Sequence, residues 1–363
     1  MNILRPAFIL DPAKVKDNIR MMAVKAKESG IIFRPHFKTH QSRVIGRWFR
    51  NEGVARITVS SLTMARYFAE DGWDDITVAF PVNRPEVGLI NELASQIRLG
   101  LVVEDLATLN ELKLRLASPV DIYIKIDSGY HRTGLEPSDK EDIVSIRAAA
   151  DDGRLTTFRG ILTHAGNTYS VFGKAAVTEI AGKSMDAMLQ VKSFLGEDQA
   201  CLVSVGDTPS CSLMDKLTGM DEIRPGNFVF YDLMQMNIGS CTFHQVAGIV
   251  VCPVVAVHPG RHQAVIYGGA VHLSKDRISI EGKTIYGQMV EWYGTGWGEP
   301  EENSFIVSLS QEHGILEAPD RVLRRLSPGM LIGIIPVHSC LTANVLRGYR
   351  LISGETIDHL EGI

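Results

Sequence analysis

Hydrophobic and polar positions alternate in blocks along the first two thirds of the chain. A short run rich in Val and Ile, a loop with Gly, Asp or Thr, and a longer stretch of helical period follow one another repeatedly from residue 31 to 232. The runs are "IIFRP" (31 to 35), "RITVSS" (56 to 61), "DITVAF" (75 to 80), "IRLGLVV" (97 to 103), "VDIYIKID" (120 to 127), "RGILTH" (159 to 164), "CLVSVG" (201 to 206) and "EIRPGNFVFYD" (222 to 232). Each is apolar enough to be buried on both faces, and helix-sized segments such as "SLTMARYFAEDG" separate them, so a parallel sheet is expected. Eight strands favour a closed (β/α)8 TIM barrel. An open doubly wound sheet is the competitor, but no Gly-rich dinucleotide fingerprint follows the first strand; Lys38 stands there instead.

The texture changes after about residue 236. "HQVAGIVVCPVVAVHPGRHQAVIYGG", "SFIVSLSQEHGILE" and "MLIGIIPVHSCLTANVLRGYRLI" are β-branched runs with closely spaced turn signals. They predict a mainly antiparallel β-domain, and the isolated strand "PAFILD" near the N-terminus is free to join it. The expected division is therefore a barrel over residues 15 to 235, with residues 1 to 14 and 236 to 363 forming the second domain.

Composition narrows the partners. A net charge of -5 with 22% charged residues gives no basic excess for nucleic acid. No apolar run approaches the ~20 residues of a membrane span, and no signal peptide is discernible. Five scattered cysteines fit a reducing compartment, so a cytoplasmic location is expected.

A barrel of this type builds its active site at the C-terminal ends of its strands, and polar groups collect there. Lys38 follows the first strand, "DSGYHRTG" with Arg132 the fifth, "HAGNTY" with His164 and Tyr169 the sixth, "VGDTPS" the seventh, and "RPGNF" lies on the eighth. Gly206, Thr208, Gly226 and Asn227 are phosphate-binding candidates, since small residues let backbone amides approach an anion. Gly-Asp and Pro-Gly are also ordinary turn chemistry. An amine at Lys38 can form a Schiff base if burial or neighbouring charge lowers its pKa, and Arg34, Arg132 and Arg224 could supply that charge. A phosphate cradle with a strand-end lysine suggests a pyridoxal phosphate enzyme.

Two histidine motifs raise the question of a metal. His36 and His40 have i, i+4 spacing, but Pro35 argues against a helix there, so supporting contacts to the lysine or cofactor are the expectation. His338 and Cys340 lie two apart; on a strand they would point to one side, and imidazole with thiolate suits zinc. A buried cysteine is more often simply a small hydrophobe. "SQEHG", with Glu312 and His313, is a further polar cluster or a strand-to-turn junction.

In order along the chain, "RPHFKTH", "DSGYHRTG", "HAGNTY", "GDTPS", "EIRPGNFVFYD", "EHG" and "HSC" resemble the eukaryotic-type D-serine dehydratase and D-threonine aldolase family. That group belongs to the alanine racemase-like, fold-type III pyridoxal phosphate enzymes. The resemblance implies an alanine racemase-like fold, a homodimer, and a cytoplasmic enzyme acting on a small D-amino acid. By motif, Lys38 would hold pyridoxal 5'-phosphate; Arg132, His164, Tyr169, Gly206, Thr208, Arg224, Gly226 and Asn227 would bind it. His338 and Cys340 would bind Zn2+ or another divalent metal. D-serine dehydration is the first expectation, ahead of D-threonine aldol cleavage, 3-hydroxy-D-aspartate dehydration or racemisation, with a non-catalytic pyridoxal phosphate carrier as the alternative from another class. Two departures from the family pattern bear on the substrate: Tyr267 stands where an aspartate is common, and Leu162 and Thr163 precede "HAGNTY".

Overall fold

The computed structural model describes residues 2–151, 153–196 and 201–360. Two compact units divide them: residues 2–19, 39–48 and 227–360 form one, Arg20–Lys38 and Phe49–Gly226 the other.

The second of these is built on eight parallel strands, Ile32–Phe33, Ile57–Val59, Asp75–Pro81, Arg98–Val103, Val120–Lys125, Thr156–Thr163, Leu202–Val205 and Glu222–Ile223. All eight expected strands are present. The sheet runs in chain order except that the last strand pairs with the first. A single bridge between His36 and Thr58 joins the two remaining edges, with Thr58 N–H donating to the Pro35 carbonyl and Phe37 N–H to the Thr58 carbonyl, both at 2.9 Å. The ring is closed, as the count of eight led one to expect.

Several strands are shorter than their apolar runs. The first stops at Phe33 before Pro35, and the eighth stops at Ile223, because proline cannot donate to a ladder and Asn227–Val229 turns into a 3-10 helix. Strand ends pass directly into helices through side-chain caps: Ser61 accepts from Met64 N–H, Asp105 from Thr108 N–H and Asp207 from Ser210 N–H. Gly160 lies where a Cβ would sit 2.1 Å from the Leu202 carbonyl oxygen, so only glycine permits that strand approach.

The barrel interior holds a buried ionic ladder. Arg34 donates to Glu222 Oε2 and Asp75 Oδ1, each at 2.6 Å; Ser204 Oγ donates to Glu222 Oε1 at 2.6 Å. Arg224 Nη1 reaches Ser204 Oγ at 2.5 Å. Arg34 and Glu222 are thus each met by an opposite charge, the condition for burying them.

The other unit is a nine-stranded sheet. Gln263–Tyr267, His313–Glu317, Trp297–Leu309, Gly287–Trp292, Leu331–Pro336 and Gly248–His258 follow in antiparallel order, and the first and last also pair, so these six close on themselves. Ala7–Leu10 adds to Gly248–His258 antiparallel and to Tyr349–Leu351 parallel. The isolated N-terminal strand therefore completes this sheet. Phe8, Phe230 and Tyr349 pack there with ring centroids 5.6–5.7 Å apart. Among the described residues, no helix is long and apolar enough to cross a membrane.

Candidate active site

Each unit carries one centre. In the barrel unit, Lys38 lies exposed in the turn that follows the first strand, and its N–H donates to His36 Nδ1 at 3.4 Å. Burial first, and then the positive charges of Lys38, Arg224 and Arg132, hold the His36 imidazole well below its ordinary pKa. His164 is held down in the same way, by burial and then by Lys38, while its Nδ1 pairs with the Gly206 carbonyl. The structure thus gathers Lys38, Arg132, His164, Gly206 and Arg224 into one cationic basin whose imidazoles stay neutral.

Tyr169 and Thr208 also meet: the Thr208 backbone N–H donates to the Tyr169 hydroxyl at 3.4 Å, and the Tyr169 ring lies 6.4 Å from that of His164. Thr208 opens the helix Thr208–Leu213, capped by Asp207, whose carboxyl burial pushes up to about 6. Gly226 follows Pro225, whose carbonyl accepts the His36 N–H. Asn227 belongs to the other unit, and its amide nitrogen donates to Asp232 Oδ2 at 2.5 Å and to Ser339 Oγ at 3.2 Å.

Unmet polar capacity in this basin fits an anionic, aromatic cofactor. Arg224 donates from Nη1 to Ser204 and from Nη2 to the Thr163 carbonyl at 2.6 Å, yet its buried Nε has no partner. A Cβ at Gly206 would sit 3.1 Å from Arg224, so backbone and guanidinium are already in close contact there. The residues present are those pyridoxal phosphate needs: an amine, an arginine with a spare donor and flanking rings.

Two residues of the basin were not singled out from the sequence. Lys125 lines a shallow pocket with Asp127, Tyr130, Arg132 and His164. Burial, then Arg224 and Arg132, push its amine down to about 7. The signal was available, as one lysine inside the apolar run "VDIYIKID". Tyr130 packs so closely on Gly166 that a Cβ there would lie 2.4 Å from its ring, and Arg132 stands 5.1 Å over its face.

The second centre lies in the antiparallel unit. His338 and Cys340 are not on a strand, contrary to the expectation. The strand ends at Pro336; His338 is the N-cap of the helix Ser339–Leu346, and Cys340 is in its first turn. Asp232 causes this turn, since its Oδ2 accepts from Ser339 N–H at 2.9 Å and Ser339 Oγ at 3.1 Å. The two side chains still meet. Burial alone would raise the Cys340 thiol, but the His338 imidazole outweighs it and holds it below its ordinary value. His338 is held well above its own, burial being outweighed by Cys340, Asp276 and Asp232. Thr39, the residue after Lys38, places Oγ1 3.2 Å from Cys340 Sγ.

One imidazole and one thiolate form a borderline-soft donor set that suits zinc. Among the described residues no group of three or more ligand-type side chains could hold a metal, so an ion held here would keep open positions. His36 falls in the barrel unit and His40 in the other, in keeping with separate supporting roles. Glu312 Oε2 lies 3.7 Å from His272 Nε2, and His313 begins a strand opposite Tyr267.

A family model described as "Alanine racemase, N-terminal domain" matches residues 10–233, and one described as "Putative serine dehydratase domain" matches residues 247–352. The D-threo-3-hydroxyaspartate dehydratase of Delftia sp. (strain HT23) is 28% identical over 365 residues, covering 96% of this chain and 94% of its own. Its solved structure superposes with a TM-score of 0.90 at 27% identity, covering 100% of this chain and 99% of that one. Further structures of the Delftia protein are a histidine-to-alanine variant and a cysteine-to-alanine variant in the metal-free form, at positions two apart. The D-serine dehydratase of Dictyostelium discoideum is 28% identical over 381 residues, covering 98% of this chain and 94% of its own. The D-threonine aldolase of Filomicrobium marinum shares the fold, with a TM-score of 0.82, 23% identity, and coverage of 99% and 96%. With one family model spanning the barrel and a second the sheet that follows, the chain belongs to the alanine racemase N-terminal domain family, as a two-domain member similar throughout to lyases of D-amino acids.

Proposed function

We propose that the protein is a pyridoxal phosphate- and divalent metal-dependent lyase that dehydrates a 3-hydroxy-D-amino acid, D-serine first, to a 2-oxo acid and ammonia. The observation that carries this reading is the Cys340 thiol held low by His338 in a chain whose barrel presents Lys38 in a cationic basin. The histidine and cysteine substituted in the Delftia protein have the same spacing as His338 and Cys340, which supports a metal on this pair.

When bound, pyridoxal phosphate supplies an electron sink for charge at Cα, and the metal a Lewis acid for the 3-oxygen. The chain's own residues do the rest. Lys38 carries the cofactor and, once its Nζ is released, accepts the Cα proton at that atom. Arg224, with its unpartnered Nε, and Arg132 hold the anionic groups in register. His36 and His164, kept neutral, add no charge that would compete with the lysine. Loss of the Cα proton and the 3-hydroxyl from D-serine leaves an enamine, which water converts to pyruvate and ammonia.

The ionic neighbours of His338 are the carboxylates of Asp276 and Asp232. They repel a second substrate carboxylate, which favours D-serine over 3-hydroxy-D-aspartate. All five cysteines are free thiols, which supports the reducing, cytoplasmic setting, and a homodimer is part of this reading.

A panel of D-serine, D-threonine, 3-hydroxy-D-aspartate and D-alanine, scored for 2-oxo acid, aldehyde and L-enantiomer, tests it. D-serine should yield pyruvate, a chelator should abolish this and zinc restore it. Lys38→Ala should lose both the visible absorbance of lysine-bound cofactor and all activity. Cys340→Ala should keep the absorbance and lose at least about 100-fold in rate, the scale of removing a metal's contribution. Undiminished turnover by metal-free protein would sink the metal's role. Aldehyde without 2-oxo acid would make it an aldolase, and bound cofactor without turnover a carrier.

A further inference from the structure

The imidazole of His338 has a partner 62 residues away in the chain: its Nδ1 lies 2.5 Å from Oδ2 of Asp276. A carboxylate can only accept, so Nδ1 carries a proton towards Asp276, and Nε2 is the nitrogen that can give up its own proton to a metal. Asp276 is itself held in place. It follows the short helix Ala270–Leu273, which ends at Ser274 with φ +67 and ψ -178, backbone territory that glycine normally occupies. Ser274 N–H donates to the Ala270 carbonyl at 2.9 Å, and Ser274 Oγ accepts the Asp276 N–H at 3.2 Å. Thr342 Oγ1 donates to the Leu273 carbonyl at 3.2 Å. The turn carrying Asp276 and the helix carrying Cys340 are therefore tied together twice, once by Thr342 and once by His338 itself.

We propose that Asp276 is a positioning residue: it fixes the tautomer and ring orientation of His338 so that Nε2 is offered to a divalent metal together with the Cys340 thiolate. The inference rests on the metal reading above. Carboxylates that hold the far nitrogen of a ligating imidazole both orient it and raise its basicity. Asp232 does not fill this place, because its oxygens are occupied by Asn227, Ser339 and Gln235.

The test titrates zinc into metal-stripped, pyridoxal phosphate-loaded protein against a chromophoric chelator. Wild-type protein should take up zinc, and Asp276→Ala should bind it about 10–100-fold more weakly. Asp276→Asn, which keeps an acceptor in place, should fall between. The cofactor absorbance should not move, the stripped protein should lose less stability than the zinc-loaded one, and 15N-histidine spectra of the zinc-loaded protein should show the Nδ1–H form of His338 in the wild type and its loss in Asp276→Ala. Zinc bound by Asp276→Ala as tightly as by wild type would overturn the inference, as would an equal loss of stability in the stripped protein. Wild-type protein that takes up no zinc, or His338→Ala that binds it unchanged, would instead overturn the metal reading.

Discussion

Glu222 shows what a single side chain does inside this barrel. Fully buried, it accepts from Arg34 on one oxygen and Ser204 on the other. Neutralising it leaves the buried Arg34 with half its counter-charge. Glu222→Gln should therefore destabilise the fold by about 3–5 kcal/mol, measured by urea unfolding, whereas replacing Arg34 and Glu222 together by apolar residues should cost less than the sum of the single changes. Equal and additive losses would mean that the pair is not coupled. Residue chemistry of this kind was partly legible beforehand. Lys38 stood out because a charge follows an apolar run at a strand end, and His338 with Cys340 because of their spacing. Asp276 and Asp232 did not, since each acts on a group more than sixty residues away, and no local pattern records such a partnership.

At the level of elements, apolar blocks located all eight barrel strands but overstated their ends, because Pro35 and Pro225 interrupt the ladder inside runs that remain apolar. The error at "HSC" had a similar source. A β-branched run reads as strand until something outside it bends the chain, and Asp232 does so by capturing Ser339. Gly160 marks the opposite case, where one atom decides whether two strands can pair. Its added Cβ would meet backbone rather than a movable side chain, so Gly160→Ala should cost about 1–3 kcal/mol or more, read as a lowered urea midpoint with the slope unchanged. A midpoint within error of wild type would show that the strands can part without penalty.

For the molecule as a whole, buried neutral bases set the response to acid. Burial holds His40 down to about 3, against 6.5 when exposed, so below pH 6.5 the unfolded chain binds a proton that the folded one refuses. Stability is complete above pH 6.5 and falls as pH drops towards 3, by about 1.4 kcal/mol per pH unit for this group. His36 and His164 act in the same direction. Asp207, pushed up to about 6, acts in the opposite one, as its folded form keeps a proton between about 3.8 and 6. The balance predicts a urea midpoint that declines from pH 6.5 to 4.5, and a shallower decline in His40→Gln; a flat profile would contradict it. The chain crosses between its two units at residues 19–20, 38–39, 48–49 and 226–227. Composition suggests boundaries near 15 and 235, but the short excursion at 39–48 leaves no such trace, because ten residues carry too little pattern to declare their neighbours.

The place of Ala7–Leu10 sets an order on the making of the protein. This strand is made well before its two partners, Gly248–His258 and Tyr349–Leu351, which follow it far along the chain. The barrel strands, which end at Ile223, can pair while synthesis continues. Ala7–Leu10 has to wait for both partners, with Phe8 and Ile9, both fully buried at the end, exposed until then. A message truncated before residue 349 would release a protein with an intact barrel and one open, hydrophobic β-edge, a template for aggregation. Since Cys340 arrives just ahead of that last partner, the His338–Cys340 pair and the sheet that receives Ala7–Leu10 are completed within a dozen residues of each other.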